Sequence, residues 1–234
     1  MALLPLLLPV ASLLAEGPCD ILGAAGNKCV AAHSTVRALY AKYDGPLYRV
    51  VRPNNSSANV SALKSGFADI AAHEQFCAAG DCLIANVFDQ SPQGNHLYQR
   101  ISDGVVHKMV NASQHKISVA GAEVFGMWFD PGHGYHVDDT TGIAKGNEPE
   151  SIYAVMSGTH FNGQCCFDYG NSENTRLQPV HTGDYACGAM VHALPSLCCS
   201  LVLLIGAAAH GCCCSWLLLL VVVVVVVIPL LLLP

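Results

Sequence analysis

The sequence has few charged residues and no basic cluster. Lys, Arg, Asp and Glu together make up 12% of its 234 residues, and the formal net charge is −6 at pH 7. The 11 Lys and Arg form no run that could neutralise several phosphates, which argues against nucleic acid as a partner. A mildly acidic chain is compatible with a neutral substrate such as a carbohydrate.

Charge is missing altogether from residues 185–234, the last 50 of the chain. Six of the 12 cysteines lie there, together with a run of seven valines and two leucine blocks. Composition therefore divides the chain into three parts. We predict a leader at residues 1–16, part of a globular domain at 17–175, and an uncharged Cys-, Leu- and Val-rich tail at 176–234.

The common catalytic and metal-binding motifs are absent too. The sequence contains no P-loop, no G-x-S-x-G and no H-E-x-x-H. His133 and His136 are spaced as H-x-x-H in a glycine-rich loop, but no further ligand lies near them in sequence, so we interpret them as a solvated pair. The cysteine triplet at 212–214 lacks the two-residue gaps of a zinc knuckle. We predict no metal and no cofactor.

Residues 1–15 form a short apolar run that ends in small residues, which is typical of a secretory signal peptide cleaved near residues 15–17. The alternative is a buried N-terminal helix, which Pro5 and Pro9 would interrupt. Export predicts a secreted, extracellular protein whose cysteines lie in an oxidising compartment. Four N-x-S/T sequons agree with a secreted glycoprotein, at Asn54, Asn55, Asn59 and Asn111.

Apolar spacing predicts short helices and short strands. One helix is expected at 31–43, after a cap at Ser34, and another at 68–77. Strands bounded by turn residues are expected at 47–51, 83–88, 124–129 and 152–156. Dense Gly and Pro punctuation predicts loops at 89–95 and 131–134, where binding residues often collect. This pattern favours an all-β sandwich or barrel over a βαβ fold.

Residues 216–234 form an apolar run of 19 residues, which as a helix would reach about 28 Å and so cross the core of a bilayer. The valine run, Pro229 and the lack of flanking Lys or Arg make it a poor membrane span. A glycolipid-anchor signal would need a polar spacer that is hard to find here. We prefer the hypothesis that the sequence from about residue 176 is a shifted or read-through translation. Its expected conformation is an irregular or helical apolar tail.

Two adjacent cysteines, Cys165 and Cys166, lie in the segment GTHFNGQCCFDYGN at residues 158–171. Their α-carbons are only about 3.8 Å apart, so a disulfide between them would close a strained and rigid ring. Such a ring would hold a polarisable sulfur surface against a small ligand. Alternatively, both are reduced core thiols or bond to separate partners, and spacing alone does not decide between these states.

Carboxylates near apparent strand ends or loops are the remaining candidates for chemistry. Glycoside hydrolysis needs two of them on opposite sides of the scissile bond. Most such residues simply solvate loops or accept backbone hydrogen bonds, and spacing selects no pair. The candidates are Asp89, Asp130, Asp168 and Glu173.

Five segments, in chain order, closely resemble the catalytic domain of glycoside hydrolase family 54, the secreted α-L-arabinofuranosidases B. The resemblance covers residues 17–174, and the adjacent cysteines are its most diagnostic part. The segments are GPCDI (17–21), CVAAHSTVRALY (29–40), FCAAGDCLI (76–84), FDQSPQGNHL (88–97) and GTHFNGQCCFDYGN (158–171).

The resemblance implies a fold and an activity. The fold is a concanavalin-like β-sandwich of the jelly-roll type, here incomplete, and the activity is retaining removal of terminal arabinofuranose from arabinoxylan or arabinan. The family also carries a C-terminal arabinose-binding β-trefoil. The implied disulfides are Cys19–Cys29, Cys77–Cys82 and Cys165–Cys166, the last of which lines the sugar site. The implied partner is an arabinose-containing polysaccharide, bound by a monomer.

The chain departs from the family after Asn174. The nucleophilic glutamate of the family lies in an Asp-Leu-Glu-Asn segment and its acid/base aspartate follows a Gly-Gly pair, and neither segment is present in this sequence. Asp184, the only carboxylate past Asn174, matches neither motif. No catalytic residue can be assigned, so we expect a truncated chain without turnover. The alternatives are a non-catalytic carbohydrate-binding fragment and a protein tethered to a membrane through residues 216–234.

Overall fold

The computed structural model describes residues 16–102, 105–144, 148–155, 168–171, 190–192 and 225–228. Within these ranges strands far outnumber helices, and the strands form separate sheets. The all-β class predicted from the sequence is confirmed. The predicted leader lies outside the described residues except for Glu16, and so does most of the predicted tail.

The described ranges contain two short helices, α1 (Pro18–Ala24) and α2 (Ile70–Cys77). The strands are, in chain order, β1 (Ala31–His33), β2 (Pro46–Val51), β3 (Ser57–Ser61), β4 (Leu83–Val87), β5 (Leu97–Gln99), β6 (Ile101–Ser102), β7 (Val105–Val106), β8 (Lys116–Val119), β9 (Ala122–Phe125), β10 (Tyr135–His136), β11 (Ser151–Tyr153), β12 (Asp168–Gly170), β13 (Met190–His192) and β14 (Val225–Ile228).

A five-stranded antiparallel sheet, with the order β10-β5-β4-β2-β3, carries the main core. Alternate residues of its strands point to one face and pack into a single apolar cluster, as a half-buried sheet requires. Helix α2 packs against β3 and β9, with His73 and Cys77 buried. The fully buried members of the cluster include Leu47, Tyr48, Val50, Ile84 and Val110.

Helix α1 is held against the segment that follows β1. The backbone N–H of Cys19 donates to the Leu39 carbonyl at 3.0 Å, and the Asp20 carboxylate accepts from the N–H of Gly17 at 2.8 Å. Gly17 has no room for a side chain, because a Cβ there would lie 2.1 Å from the Leu39 oxygen. Cys19 and Cys29 form a disulfide, the pairing that the family resemblance implies.

A three-stranded sheet places β14 between β1 and β11. Val227 pairs with Ala31 on one side and with Ile152 on the other, both antiparallel. An irregular or helical tail was the expectation, but residues 225–228 are extended, which agrees with the strand preference of β-branched valine. Within the ranges that the structure describes, no helix is long and apolar enough to span a membrane.

The helix predicted at 31–43 is wrong. Its first residues form β1, and the Ser34 hydroxyl then accepts from the N–H of Val36 at 3.1 Å, which closes a local turn instead of capping a helix. The N–H of Ala38 next donates to the Gly66 carbonyl at 2.7 Å. Backbone hydrogen bonds to a distant segment thus replace the helical ones. Of the apolar residues at helical spacing, Val36 and Leu39 are buried, and Tyr40 and Tyr43 are half-buried.

The other predicted elements are found with small shifts of their bounds. Helix α2 begins after Asp69, whose carboxylate accepts from the N–H of Ala72 at 3.0 Å, as an N-cap should. The strands predicted at 47–51 and 83–88 are β2 and β4. The other two strands end early, at Phe125 in β9 and at Tyr153 in β11.

Removing the disulfide between Cys77 and Cys82 is expected to lower the free energy of unfolding by about 2 kcal/mol, because the bridge closes only a short loop of the unfolded chain. Cys77 is the last residue of α2 and Cys82 lies just before β4, and both residues are buried. Denaturant titration of the variant Cys77→Ala/Cys82→Ala measures the loss. The variant Cys19→Ala/Cys29→Ala opens a longer loop, so it should lose more; the reverse order would contradict the argument from loop entropy.

Candidate functional site

Asp89 is a buried carboxylate, 3% exposed, at the start of the loop after β4. Its Oδ1 accepts from the backbone N–H groups of Ala32 at 2.7 Å and Ser91 at 2.8 Å. Its Oδ2 accepts from the N–H of Asn95 at 2.8 Å and from the Ser91 hydroxyl at 2.7 Å. Four donors offset the cost of burying this charge. Asp89 therefore organises its loop and is already saturated with partners.

Asn95 closes the same loop and joins it to a second one. Its Nδ2 donates to the carbonyls of Val30 at 2.8 Å and Thr141 at 2.9 Å. Its Oδ1 accepts from the N–H of Thr141 at 2.8 Å. Gly94 precedes it with φ +74°, a left-handed conformation that favours glycine. The loop predicted at 89–95 is thus confirmed. Its buried polar side chains are those of Asp89, Gln90, Ser91 and Asn95, whereas Gln93 is exposed.

Gln90 attaches the loop to the segment after β1. Its Oε1 accepts from the N–H of Leu39 at 2.7 Å, and its Nε2 donates to the Arg37 carbonyl at 3.1 Å. Its own backbone N–H donates to the Ala32 carbonyl at 2.8 Å. These bonds satisfy the backbone groups of a segment that has no regular partner strand there.

His33, at the end of β1, connects this loop to residues 168–171. Its Nε2 lies 2.7 Å from the Asn95 carbonyl oxygen. Because a carbonyl oxygen can only accept, Nε2 carries the proton of the neutral ring. Nδ1 is then the acceptor, and it accepts from the Tyr169 hydroxyl at 2.8 Å. Burial lowers the pKa of His33, although the nearby Asp89 opposes that shift. Burial, with the charge of Asp89, raises the pKa of Tyr169. Both rings are therefore neutral at neutral pH.

The adjacent cysteines predicted to line the sugar site, Cys165 and Cys166, lie outside the described residues. The described part of their segment begins two residues later, with β12. There Tyr169 contacts His33, and the Asn171 side-chain amide donates to the Ala144 carbonyl at 2.7 Å and to the Glu150 carboxylate at 2.9 Å. The end of the segment is thus attached at two points.

The other carboxylates considered from the sequence are not brought together. Asp130 accepts from the indole N–H of Trp128 at 3.3 Å, in a loop separate from Asp89. Asp168 belongs to β12, and Glu173 lies outside the described residues. The two side chains whose contacts are known are engaged separately: Asp89 by its own loop and by Ala32 of β1, and Asp130 by Trp128.

The histidines spaced as H-x-x-H have separate partners. The Nδ1 of His133 accepts from the N–H of Asp130 at 2.8 Å, and burial lowers the pKa of His133. The Nε2 of His136 lies 3.4 Å from an oxygen of Asp138. Among the described residues, no group of His, Cys, Asp or Glu is arranged to hold a metal ion.

Sequence reasoning singled out Asp89 but missed the residues that surround it, His33, Gln90, Asn95 and Tyr169. The sequence signal that could have identified these four residues is that they lie in segments that carry the family resemblance. Three of the five segments contain them: 29–40, 88–97 and 158–171. The structure brings these three segments together through the contacts of His33.

Comparison with known proteins identifies the family of this chain. The family model for the catalytic domain of α-L-arabinofuranosidase B matches residues 18–196, which extends past the domain boundary predicted at residue 175. An α-L-arabinofuranosidase of Hypocrea jecorina is 44% identical over 188 residues, which cover 74% of this chain and 38% of that protein. An arabinofuranosidase/β-xylosidase of Trichoderma koningii is 43% identical, with the same coverage.

Solved structures give the same assignment. A crystal structure of arabinofuranosidase complexed with arabinofuranosyl-α-1,2-xylobiose superposes with a TM-score of 0.67 at 40% identity, covering 72% of this chain and 36% of that one. A family 54 α-L-arabinofuranosidase soaked with a cyclic sulfate inhibitor gives the same TM-score, identity and coverage. These neighbours are β-sandwiches, which confirms the predicted architecture.

The chain spans less than two-fifths of the length of the curated relatives that it matches. The family model nevertheless matches most of the chain, and the identity exceeds 40% in several relatives. This chain belongs to glycoside hydrolase family 54, the family of the α-L-arabinofuranosidase B catalytic domain.

Proposed function

We propose that this chain forms the sugar-recognition part of an α-L-arabinofuranosidase that acts on terminal non-reducing α-L-arabinofuranosyl residues of arabinoxylan or arabinan. Relatives named for this activity support the assignment, as does a related structure that holds an arabinofuranosyl xylobiose. The substrate is neutral, which suits a site whose described histidine and tyrosine are both uncharged at neutral pH.

The observation that carries the proposal is the hydrogen bond between His33 and Tyr169. It joins residues 136 positions apart in sequence and attaches the segment that contains Cys165 and Cys166 to the loop organised by Asp89. In the proposed site, the disulfide of Cys165 and Cys166 forms one wall against the arabinofuranose ring. Tyr169, three positions after Cys166 in sequence, attaches the end of this segment to His33.

Retaining hydrolysis needs a carboxylate nucleophile and a carboxylic acid that protonates the leaving oxygen. The 234 residues contain neither of the two segments that supply these groups in the family. Without them neither the covalent intermediate nor proton donation is available. We therefore propose that these residues bind the sugar without turning it over.

The 234-residue chain is expected to bind arabinose saturably and to hydrolyse 4-nitrophenyl α-L-arabinofuranoside at less than about one-thousandth of the rate of a full-length relative. Calorimetric titration measures the binding, and release of 4-nitrophenol measures the turnover. The relative, assayed in parallel, is the positive control. Turnover comparable to that of the relative would disprove the non-catalytic part of the proposal, and a lack of saturable binding would disprove the recognition part.

We also propose that the protein is a secreted, N-glycosylated monomer. Two disulfides, Cys19–Cys29 and Cys77–Cys82, suit an oxidising compartment. Glycosylation needs accessible asparagines, and three of the four sequons meet that condition. Asn54, Asn55 and Asn59 are exposed in the β2–β3 hairpin, whereas Asn111 is half-buried.

A further inference from the structure

The middle strand of the three-stranded sheet comes from the far end of the chain. Strand β14 pairs antiparallel with β1 on one side and with β11 on the other, so the two outer strands do not pair with each other. Two strand spacings, about 10 Å in all, separate the outer strands, which is the room that one strand needs. This space between β1 and β11 is here called the slot.

The backbone of β1 faces two ways. The N–H of Ala32 donates to the Asp89 carboxylate at 2.7 Å, and the Ala32 carbonyl accepts from the N–H of Gln90 at 2.8 Å. Successive residues of a strand direct their N–H and C=O groups to opposite edges, so those of Ala31 and His33 point into the slot. Both residues are buried, at 3% and 1% exposed. Their backbone groups therefore need partners inside the slot.

Strand β14 supplies those partners. Its register places two residues opposite the two β1 residues that face the slot, Val225 opposite His33 and Val227 opposite Ala31. The alternate residues of β14 direct their backbone groups to the other wall, with Val226 opposite Tyr153 of β11. A strand of four residues thus pairs with both walls at once. A helix in this place would satisfy its own backbone groups and leave those of β1 unpaired.

The two walls are held by contacts that do not involve β14. The loop of Asp89 pairs with the other edge of β1. The Glu150 carboxylate, directly before β11, accepts from the Asn171 amide at 2.9 Å. Tyr169, two residues before that asparagine, donates to His33 of β1 at 2.8 Å. The short segment of β12 therefore connects the walls of the slot independently of the strand between them, and the slot is organised for a strand to enter.

The sequence of the tail suits such a strand. Residues 221–227 are seven valines, and β-branched residues favour extended backbone. A uniform sequence leaves the register free to slip. Pro229 limits the slippage, because it directly follows the last paired residue, Ile228, and has no N–H to donate. A segment without charges also suits a slot whose β1 wall is buried throughout.

We propose that the slot is a strand-acceptor site for an extended, uncharged segment rich in β-branched residues, and that residues 225–228 are its donor strand in this chain. Main-chain hydrogen bonds provide the affinity, as when a peptide adds a strand to an open sheet. Because donor and slot belong to one chain, the donor is present at a high effective concentration. A separate peptide of the same chemistry binds when the tail cannot form the strand. An occupied slot also leaves neither β1 nor β11 with an open edge there, which protects the sheet from edge-to-edge aggregation.

Amide hydrogen exchange of the full 234-residue chain tests whether the slot is occupied. The amides of Ala31 and His33 are expected to exchange at least about 100-fold more slowly than unstructured amides. Replacing residues 221–228 with alternating Gly and Ser removes the strand preference and should remove most of that protection. Alternating Thr and Val over the same residues keeps β-branching at every position and should keep the protection. Ala32 is the internal control, since its amide donates to Asp89 and not into the slot.

A peptide added in trans tests the chemistry of the partner. The probe has the alternating Thr and Val sequence and is added to the Gly-Ser variant of the full chain. It is expected to bind saturably and to return the protection of Ala31 and His33 to within about tenfold of the original chain. The control peptide has proline in place of each valine, which removes every second N–H, and it should not bind.

The outcomes decide separate parts of the proposal. Fast exchange of Ala31 and His33 in the original chain would overturn the occupied slot, and equal protection in the Gly-Ser variant would overturn the donor role of the tail. The acceptor site is disproved if the Gly-Ser variant keeps its α2 amides protected but does not bind the probe, or binds it no better than the proline control. If the Gly-Ser variant does not fold, the Thr-Val variant decides: slow exchange of both amides supports the donor strand, and fast exchange in a folded chain overturns it. None of these results depends on arabinose binding, so the proposed function is tested separately.

Discussion

Replacing Asp89 with alanine is expected to lower the free energy of unfolding by about 4 kcal/mol. The change removes the acceptor of four hydrogen bonds at once, from the N–H groups of Ala32, Ser91 and Asn95 and from the Ser91 hydroxyl. Each donor left unsatisfied in a buried place costs about 1–3 kcal/mol, less where the loop opens to water. Urea denaturation followed by circular dichroism measures the loss.

The variant Asp89→Asn should cost less, about 1–2 kcal/mol. The side-chain oxygen of the new asparagine can still accept from the backbone N–H groups of Ala32 and Ser91. The new amide nitrogen can donate to the Ser91 hydroxyl. That hydroxyl can then donate to the Val30 carbonyl, which lies 3.1 Å away. Only the N–H of Asn95 loses its acceptor. The matched control is Asp81→Ala at an exposed aspartate, expected to change stability by less than about 0.5 kcal/mol. Equal and small losses for all three variants would contradict the central role of Asp89.

The role of Asp89 shows how far the sequence alone could go. Its position after an apparent strand marked it as a candidate for chemistry, and the family resemblance marked its segment. Its partners could not be found that way, because Ala32 is 57 positions away in sequence. Nothing in the spacing of polar residues predicts which distant backbone donors a loop carboxylate will meet. The structure therefore changes Asp89 from a candidate catalyst into a loop organiser.

The secondary structure follows the same division between local and distant causes. Strands β2 and β4 and helix α2 are predictable because their signals are local: β-branched runs, turn residues and apolar spacing. The N-cap at Asp69 is found only in the structure. The predicted helix at 31–43 failed because backbone partners from residues 66–68 decide that conformation.

Acidification from pH 6.5 to pH 4 is expected to lower the free energy of unfolding by about 2–3 kcal/mol through His73. This histidine is buried between Tyr48, whose hydroxyl lies 2.7 Å from Nδ1, and Phe125, whose ring stacks on it at 4.4 Å. Burial lowers its pKa to about 4, with Glu74 opposing the shift and Lys116 assisting it. Between pH 6.5 and 4 the unfolded chain therefore binds a proton that the folded chain excludes, so stability falls as the pH falls through that window.

A pair of variants separates the titration of His73 from its packing. His73→Gln removes the titrating group, so its stability should depend less on pH between 4 and 6.5, whatever its stability at pH 7. Tyr48→Phe removes the hydrogen bond but keeps the imidazole, so it should lose about 1 kcal/mol at pH 7 and retain the pH dependence. Burial also lowers the pKa of His33, which contributes in the same direction and remains in both variants. Urea titrations at half-unit pH intervals give the slopes. An unchanged slope in His73→Gln would contradict the assignment to His73 and point to His33, the other fully buried imidazole among the residues that the structure describes.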